Sequence, residues 1–328
     1  MHIYNDFNIR FSFYFIRLVS YALRDEYAMV PEHLKELALG VPDLLQSCKA
    51  DSTVRKYCYG FLRWRKWANQ NHFEEENIFP IKPFHMCIYL SFLVKNNANI
   101  GSLSDAMYGV KWAHDIVGKI SPTMSLLVRN VFEGAKRLLA KPVKKKQAVT
   151  ISILQNVYDK VFDKNNLYNQ RTITMCLLSY AGFMRSAEVL ALRRSDIQIR
   201  ASHMEIFVEH SKTDVYRDGS WIIVSRICGS RLCPVGNFEL YLKLASIVDD
   251  SEEFVFRNLT RLNTDTYVLR KLNKPMTYSR FREIFMETFS SVVPDIKKFG
   301  LHTLINLQHG LQCSICCNHA AFMLASCC

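Results

Sequence analysis

The 328-residue sequence is poor in the residues that break regular structure, with 12 glycines and 9 prolines. That scarcity excludes a low-complexity or linker-like chain. It also lacks an uninterrupted apolar run of the roughly 18 residues a bilayer-crossing helix needs. The nearest candidate, Phe11 to Tyr21, is broken by Arg17. No membrane partner is therefore expected. Residues 1–23 carry neither a basic start nor a small-residue cleavage site, so no secretory leader is read there. Residues 1–44 form an N-terminal extension, the first part of which reads either as an ordered helix or as a segment that packs on nothing. Cysteine is not scarce at 11, but the number is odd and five (Cys313, Cys316, Cys317, Cys327, Cys328) crowd into the last sixteen residues. The other six are thinly spread, as in a reducing, intracellular protein.

What is present is ordinary globular usage, 49% hydrophobic and 22% charged, in a chain long enough for two domains. The net charge is +12, and residues 51–146 hold 16 basic side chains against 7 acidic ones. A positive surface steers polyanions and gains from counterion release, which points to nucleic acid. A merely solvated, soluble face is the competing reading, and charge alone does not separate the two.

Periodicity does more. Residues 51–71 predict a helix capped by Asp51 or Ser52, with Val54, Tyr57, Cys58, Phe61, Trp64 and Ala68 on one face. At about 100° per residue, Arg55, Lys56, Arg63 and Lys66 fall on the opposite face as a cationic stripe. Trp64 and Trp67 read as core rather than as base-stacking residues. Helices over 83–95, 102–117 and 122–140 follow, the last ending at Lys136 and Arg137. Four helices over residues 45–140 make a small bundle. Residues 141–147, with Pro142 and the run Lys144, Lys145, Lys146, lack apolar periodicity and predict a basic linker able to lie along a phosphate backbone. As a nuclear-localisation signal this run is a weak motif.

Beyond the linker the pattern becomes mixed. Helices are predicted over 151–162, 171–183, 234–246 and 276–290, the last opened by Thr277 or Ser279, and strands over 203–209, 221–225 and 253–256. A polar turn through Ser211, Lys212, Thr213 and Asp214 separates the first two strands. Residues 297–302 lead into a further helix.

The run from Leu178 to Leu192, with Gly182, Phe183, Met184, Arg185 and Glu188, resembles the first catalytic-arginine box of the tyrosine recombinase (phage integrase) family. The turn at Ser211, Lys212, Thr213 and Asp214 is similar to the family's hairpin lysine motif, and residues 299–304 resemble the start of its His-x-x-Arg box. The basic helical segment is similar to the family's core-binding domain. The hairpin and the 301–304 run look closest to recombinases of eukaryotic, Crypton-like mobile elements. The resemblance spans roughly residues 45–304. It implies a mainly α fold with a small antiparallel β-sheet: a four-helix, SAM-like core-binding domain followed by an α/β catalytic domain over 148–304. It further implies nuclear location, double-stranded DNA as partner, a homo-oligomer on DNA, and strand transfer without metal or cofactor. In that chemistry Arg185 and His302 hold the charge that builds on the phosphate, and Lys212 protonates the departing oxygen. Arg55, Lys56, Arg63, Lys66, Lys136, Arg137, Lys144, Lys145 and Lys146 become the expected phosphate contacts. The plainer alternatives are that Arg185 caps a helix or pairs with Glu188, and that Lys212 is a surface lysine.

The pattern breaks after residue 304. The family's second arginine falls where this chain has Ile305, no arginine follows Arg282, and no tyrosine follows Tyr278. Two function classes stay open: a strand-exchange enzyme of the tyrosine recombinase type, acting in DNA recombination and integration but expected to be catalytically defective in this truncated catalytic domain, and a DNA-binding remnant or regulator without strand exchange; an unstable chain with no role is a third. Loss of the family's last helices is further expected to expose the apolar face running from Phe281 to Val293. Residues 305–328 resemble nothing in the family, and a zinc site from Cys313, Cys316, Cys317 and His319 is disfavoured because a second well-spaced ligand pair is missing. We attribute this tail to a frameshift, a retained intron or a degenerate element copy. Sequencing the genomic DNA past codon 304 is expected to recover arginine and tyrosine codons in another frame; a single open frame without them would count against this origin.

Overall fold

The computed structural model describes residues 19, 23–142, 144–209, 211, 214, 218–249, 251–263 and 266–305. The chain divides into two compact units, Met1–Pro142 and Val143–Cys328. It is mainly helical, with one three-stranded and one two-stranded antiparallel sheet.

In the first unit, short helices Arg24–Ala28, Lys35–Leu39 and Val41–Ser47 precede four long ones: α1 (Asp51–Gln70), α2 (Pro83–Lys95), α3 (Ile100–Ile116) and α4 (Leu126–Leu138). The expected stripe on α1 is buried at Val54, Cys58, Phe61, Trp64 and Ala68, joined by Trp67. Trp64 is fully enclosed and its indole N–H donates to the Ile78 carbonyl at 3.0 Å. Trp67, Phe73 and Tyr89 ring it at 5.4–6.0 Å, so both tryptophans belong to the core. α1 and α3 meet where two glycines face each other's backbones. A Cβ on Gly60 would lie 2.2 Å from the Asp105 carbonyl oxygen, and one on Gly109 would lie 2.5 Å from that of Tyr57.

Helix ends differ from the sequence reading where local hydrogen bonds decide them. Ala50, not Asp51 or Ser52, is the N-cap of α1; its carbonyl accepts from Thr53 and Val54 and no side chain caps. Asp51 still sits favourably in the positive first turn. The helix expected over 102–117 starts earlier, at Ile100, because the Asn99 side chain accepts from Ser102 N–H at 2.8 Å. The helix expected over 122–140 is split into a 3₁₀ turn, Pro122–Met124, and α4, since Ser125 between them is extended.

His114 stitches this unit together. Its Nε2 accepts from the Ile81 N–H at 3.0 Å, which leaves Nδ1 to donate to the Val110 carbonyl at 2.8 Å. Burial lowers its pKa below the ordinary 6.5.

In the second unit, α5 (Ile151–Val161) and α6 (Leu167–Ala181) are followed by α7 (Ser186–Ala191) and a sheet ordered β1 (Ile197–Ile199), β2 (His203–Val208), β3 (Ser220–Ser225). Ile206 pairs with Ile197 on one side and Ile222 on the other. Strict alternation on β2 turns Met204, Ile206 and Val208 inward, with Ile197 and Val224. Then come α8 (Pro234–Ala245), the hairpin β4 (Leu259–Arg261) with β5 (Tyr267–Leu269), α9 (Tyr278–Ser290), and 3₁₀ turns Ile296–Lys298 and Leu301–Leu304.

α6 begins one turn before the expected Arg171, because the Asn166 side chain caps it by accepting from Asn169 N–H at 3.1 Å. It is enclosed almost all round from Gln170 to Ser179. Residues 253–256 are not a strand. Arg194 N–H donates to Glu253, Val255 N–H to Leu192, and Met276 N–H to Phe256, so this segment makes isolated bridges to two neighbouring segments and builds no ladder. β1 and the β4–β5 hairpin escaped the sequence reading because three-residue strands carry too little periodicity. Thr277 is confirmed as the cap of α9. The apolar face expected to be exposed is instead core: Phe281, Ile284, Phe285 and Phe289 are fully enclosed and Val293 is buried. α5, α7 and the Ile296–Lys298 turn pack against α9.

The sign of His114's contribution follows from its depressed folded pKa. Between the folded value and the ordinary 6.5 of the unfolded chain, the unfolded state binds the extra proton. Stability is therefore full above that ordinary value and falls as the pH drops below it. Urea unfolding is expected to show this decline, and His114→Asn to be less stable at neutral pH but with a flatter profile across that window.

Candidate functional site

The end of α6 delivers Arg185 to the surface. Gly182 closes the helix, Phe183 turns into left-handed backbone at φ 50°, Met184 plugs the core at 0% exposure, and Arg185 is extended, as N-cap of α7. Glu188, one turn into α7, has a side chain only 7% exposed. One of its carboxylate oxygens accepts from the Arg185 backbone N–H at 2.7 Å, the other from Arg185 Nη1 at 2.8 Å. The first bond is half of a capping box; the second is a charge-assisted pair that fixes the guanidinium. Among the described residues, Nε and Nη2 of Arg185 make no hydrogen bond, and the side chain is 42% exposed. A guanidinium clamped on one edge and open on the other suits two-point contact with a phosphate. Both plainer alternatives, capping position and Glu188 pairing, are thus present and compatible with such a role.

His302 lies on the Leu301–Leu304 turn, which packs against α6. Leu301, Thr303 and Leu304 are buried while His302 is exposed. The turn is pinned by Thr303 Oγ1, which donates to the Gly300 carbonyl at 2.6 Å. It is also strapped by the segment after the linker: Gln147 N–H donates to Lys298 at 2.7 Å and Val149 N–H to Thr303 at 3.0 Å. Lys212, in the β2–β3 connection, lies outside the described residues, so its expected approach to Arg185 does too.

The cationic set is less free than helical periodicity implies. Lys56 and Arg63 converge on Asp105 of α3, at 3.2 and 3.1 Å. Arg55 is half-buried, with its Nε enclosed and unpartnered among the described residues. Lys136 pairs with Glu133 at 2.6 Å and sits over the Phe132 ring. Lys146 does not lie free on the linker: its ammonium donates to the carbonyls of Lys297 and Phe299, bracing the His302 turn. Lys66, Arg137, Lys144 and Lys145 are exposed and form no ion pair among the described residues. Asp105 is the organiser that sequence reasoning missed, since its partners are 42 or more residues away in the chain.

Among the described residues no group of three His, Cys, Asp or Glu side chains gathers to hold a metal, and no helix is long and apolar enough to cross a membrane. The six cysteines described, Cys48, Cys58, Cys87, Cys176, Cys228 and Cys233, are free thiols, and burial pushes Cys58 and Cys176 up to about 12. Cys313, Cys316, Cys317 and His319 lie outside the described residues, as does all but Val19 of residues 1–22.

No protein-family model matches the chain. Among curated proteins it is similar to the integrase/recombinase xerD homolog of Selenomonas ruminantium, 21% identical over 249 residues, covering 74% of this chain and 71% of that protein. Among solved structures it is similar to the XerH site-specific recombinase bound to a palindromic difH substrate. That likeness has a TM-score of 0.55 at 11% identity, over 94% of this chain and 87% of that one. A lambda integrase fragment bound to a core site is a weaker structural match, with a TM-score of 0.47 and 14% identity over 87% of this chain and 88% of that chain. The fold is thus that of a site-specific recombinase. With the xerD-type relative, it supports the tyrosine recombinase/integrase family for this chain.

Removing the Glu188 carboxylate strands the Arg185 N–H and releases the guanidinium. Glu188→Ala is expected to lower stability by about 1–3 kcal/mol in urea unfolding, with Glu188→Gln between it and the parent. Equal stability of all three would show that the pair does not hold the turn.

Proposed function

We propose that this chain is a DNA-binding protein of the tyrosine recombinase type, acting in DNA recombination and integration. The observation that supports it most directly is Arg185: a half-exposed guanidinium locked on one edge by a buried carboxylate, within the arginine-box motif of that family. The basic first unit and the similarity to the XerH site-specific recombinase, bound to its palindromic difH substrate, support the same reading. In the proposed site Arg185 grips a phosphate, His302 adds a second donor on the turn braced by Lys146, and Lys212 belongs to the hairpin. Without metal or cofactor, these donors act on charge alone.

The proposed activity stops at binding. Strand cleavage in this family requires a second arginine and a tyrosine nucleophile, and Ile305 stands at the position of the former. The finer placement, with recombinases of eukaryotic Crypton-like elements, carries with it a nuclear location and assembly of several copies on DNA.

A gel-shift series with duplex DNA across a range of salt tests the reading. Affinity is expected to fall steeply with salt, and Lys66→Ala with Arg137→Ala to flatten the slope by roughly one unit for each phosphate that is no longer neutralised. Lys56→Ala is expected to act less, because Asp105 already engages that ammonium. With a phosphorothiolate suicide substrate no covalent adduct should form. An absence of binding at low salt would overturn the proposal, and an adduct would overturn its restriction to binding.

A further inference from the structure

Phe183 is an anomaly with a location. Its φ of 50° is in the left-handed region, at the position just after the end of α6 where glycine is favoured. The other non-glycine residues described with positive φ are His72, Asn97 and Ser246, polar side chains also at helix ends. A bulky side chain in this conformation is a genuine outlier, because its Cβ crowds the carbonyl. Gly182 stands one position too early to relieve it; its own φ is −92°.

Core packing does not explain the ring. Met184, next in the chain, fills the interior at 0% exposure, while Phe183 stays 43% exposed. Neither the backbone, which glycine would serve better, nor the core calls for phenylalanine here. Strain of this kind persists where function holds it in place. The nearest functional group is two residues away: Arg185, whose open guanidinium edge faces solvent from the same turn.

We infer that Phe183 is a DNA-contacting residue whose ring packs on the deoxyribose or base of the nucleotide whose phosphate Arg185 grips. This rests on the functional reading above. Apolar contact beside a charged grip supplies affinity without counterion release, so the two residues should separate in their salt dependence.

Duplex binding and thermal unfolding, measured on the full chain with Phe183→Gly, Phe183→Tyr and Arg185→Ala, test it. Phe183→Gly is expected to raise the melting temperature by relieving the backbone, yet to weaken DNA binding ~10-fold with the salt slope unchanged. Phe183→Tyr, which keeps the ring, should bind like the parent, and Arg185→Ala should lower the slope by about 0.9. Parent-like binding by Phe183→Gly would overturn the inference while leaving the functional reading intact. A lowered melting temperature for that variant would overturn it in another way, showing the ring to be covered by protein. A parent chain that binds no duplex would remove both.

Discussion

The candidate site hangs on one buried carboxylate. Glu188 spends one oxygen on the backbone N–H of Arg185 and the other on its guanidinium, so a single side chain fixes both the path of the turn and the direction of the cation. A carboxylate enclosed to this degree is tolerable only when its lone pairs are occupied, and Arg185 occupies them. The arrangement leaves the arginine rigid without neutralising its outward edge. A solvated lysine at the same place would carry charge but no fixed orientation.

α6 extends that constraint through the second unit. It is buried on nearly every side, its C-terminal end presents Arg185, and the turn bearing His302 packs against it. The segment 146–149 ties that turn with one backbone hydrogen bond to Thr303 and ties the residues leading into it with another to Lys298 and with the Lys146 ammonium. Arg185 and His302, far apart in sequence, are in this way both carried by elements anchored on one buried helix. The basic character of residues 144–146 is thereby divided: Lys144 and Lys145 remain solvent-facing while Lys146 has become structural.

The first unit shows how charge and availability part company. On α1 the stripe opposite the core is real, but Asp105 reaches it from α3 and takes up Lys56 and Arg63. That contact is close because Gly60 and Gly109 let the two helix backbones approach. A feature of packing thus decides which cations are left for a polyanion.

The mainly α class, the buried face of α1 and the antiparallel strands β2 and β3 were legible in the chain, because helical and strand periodicities are local properties. Arg185 and Glu188 could be paired on paper since they lie one turn apart. Where prediction and structure part, a partner distant in sequence intervened: Asp105 on the cationic stripe, the carbonyls of Lys297 and Phe299 on Lys146, and the surrounding core on the face from Phe281 to Val293. The amino-acid order by itself determined most of the elements and set Arg185 and Glu188 one turn apart. Only tertiary packing decided which charges remain free and that Phe183 stands strained and exposed, because burial and ion pairing are relations between segments that no local pattern contains.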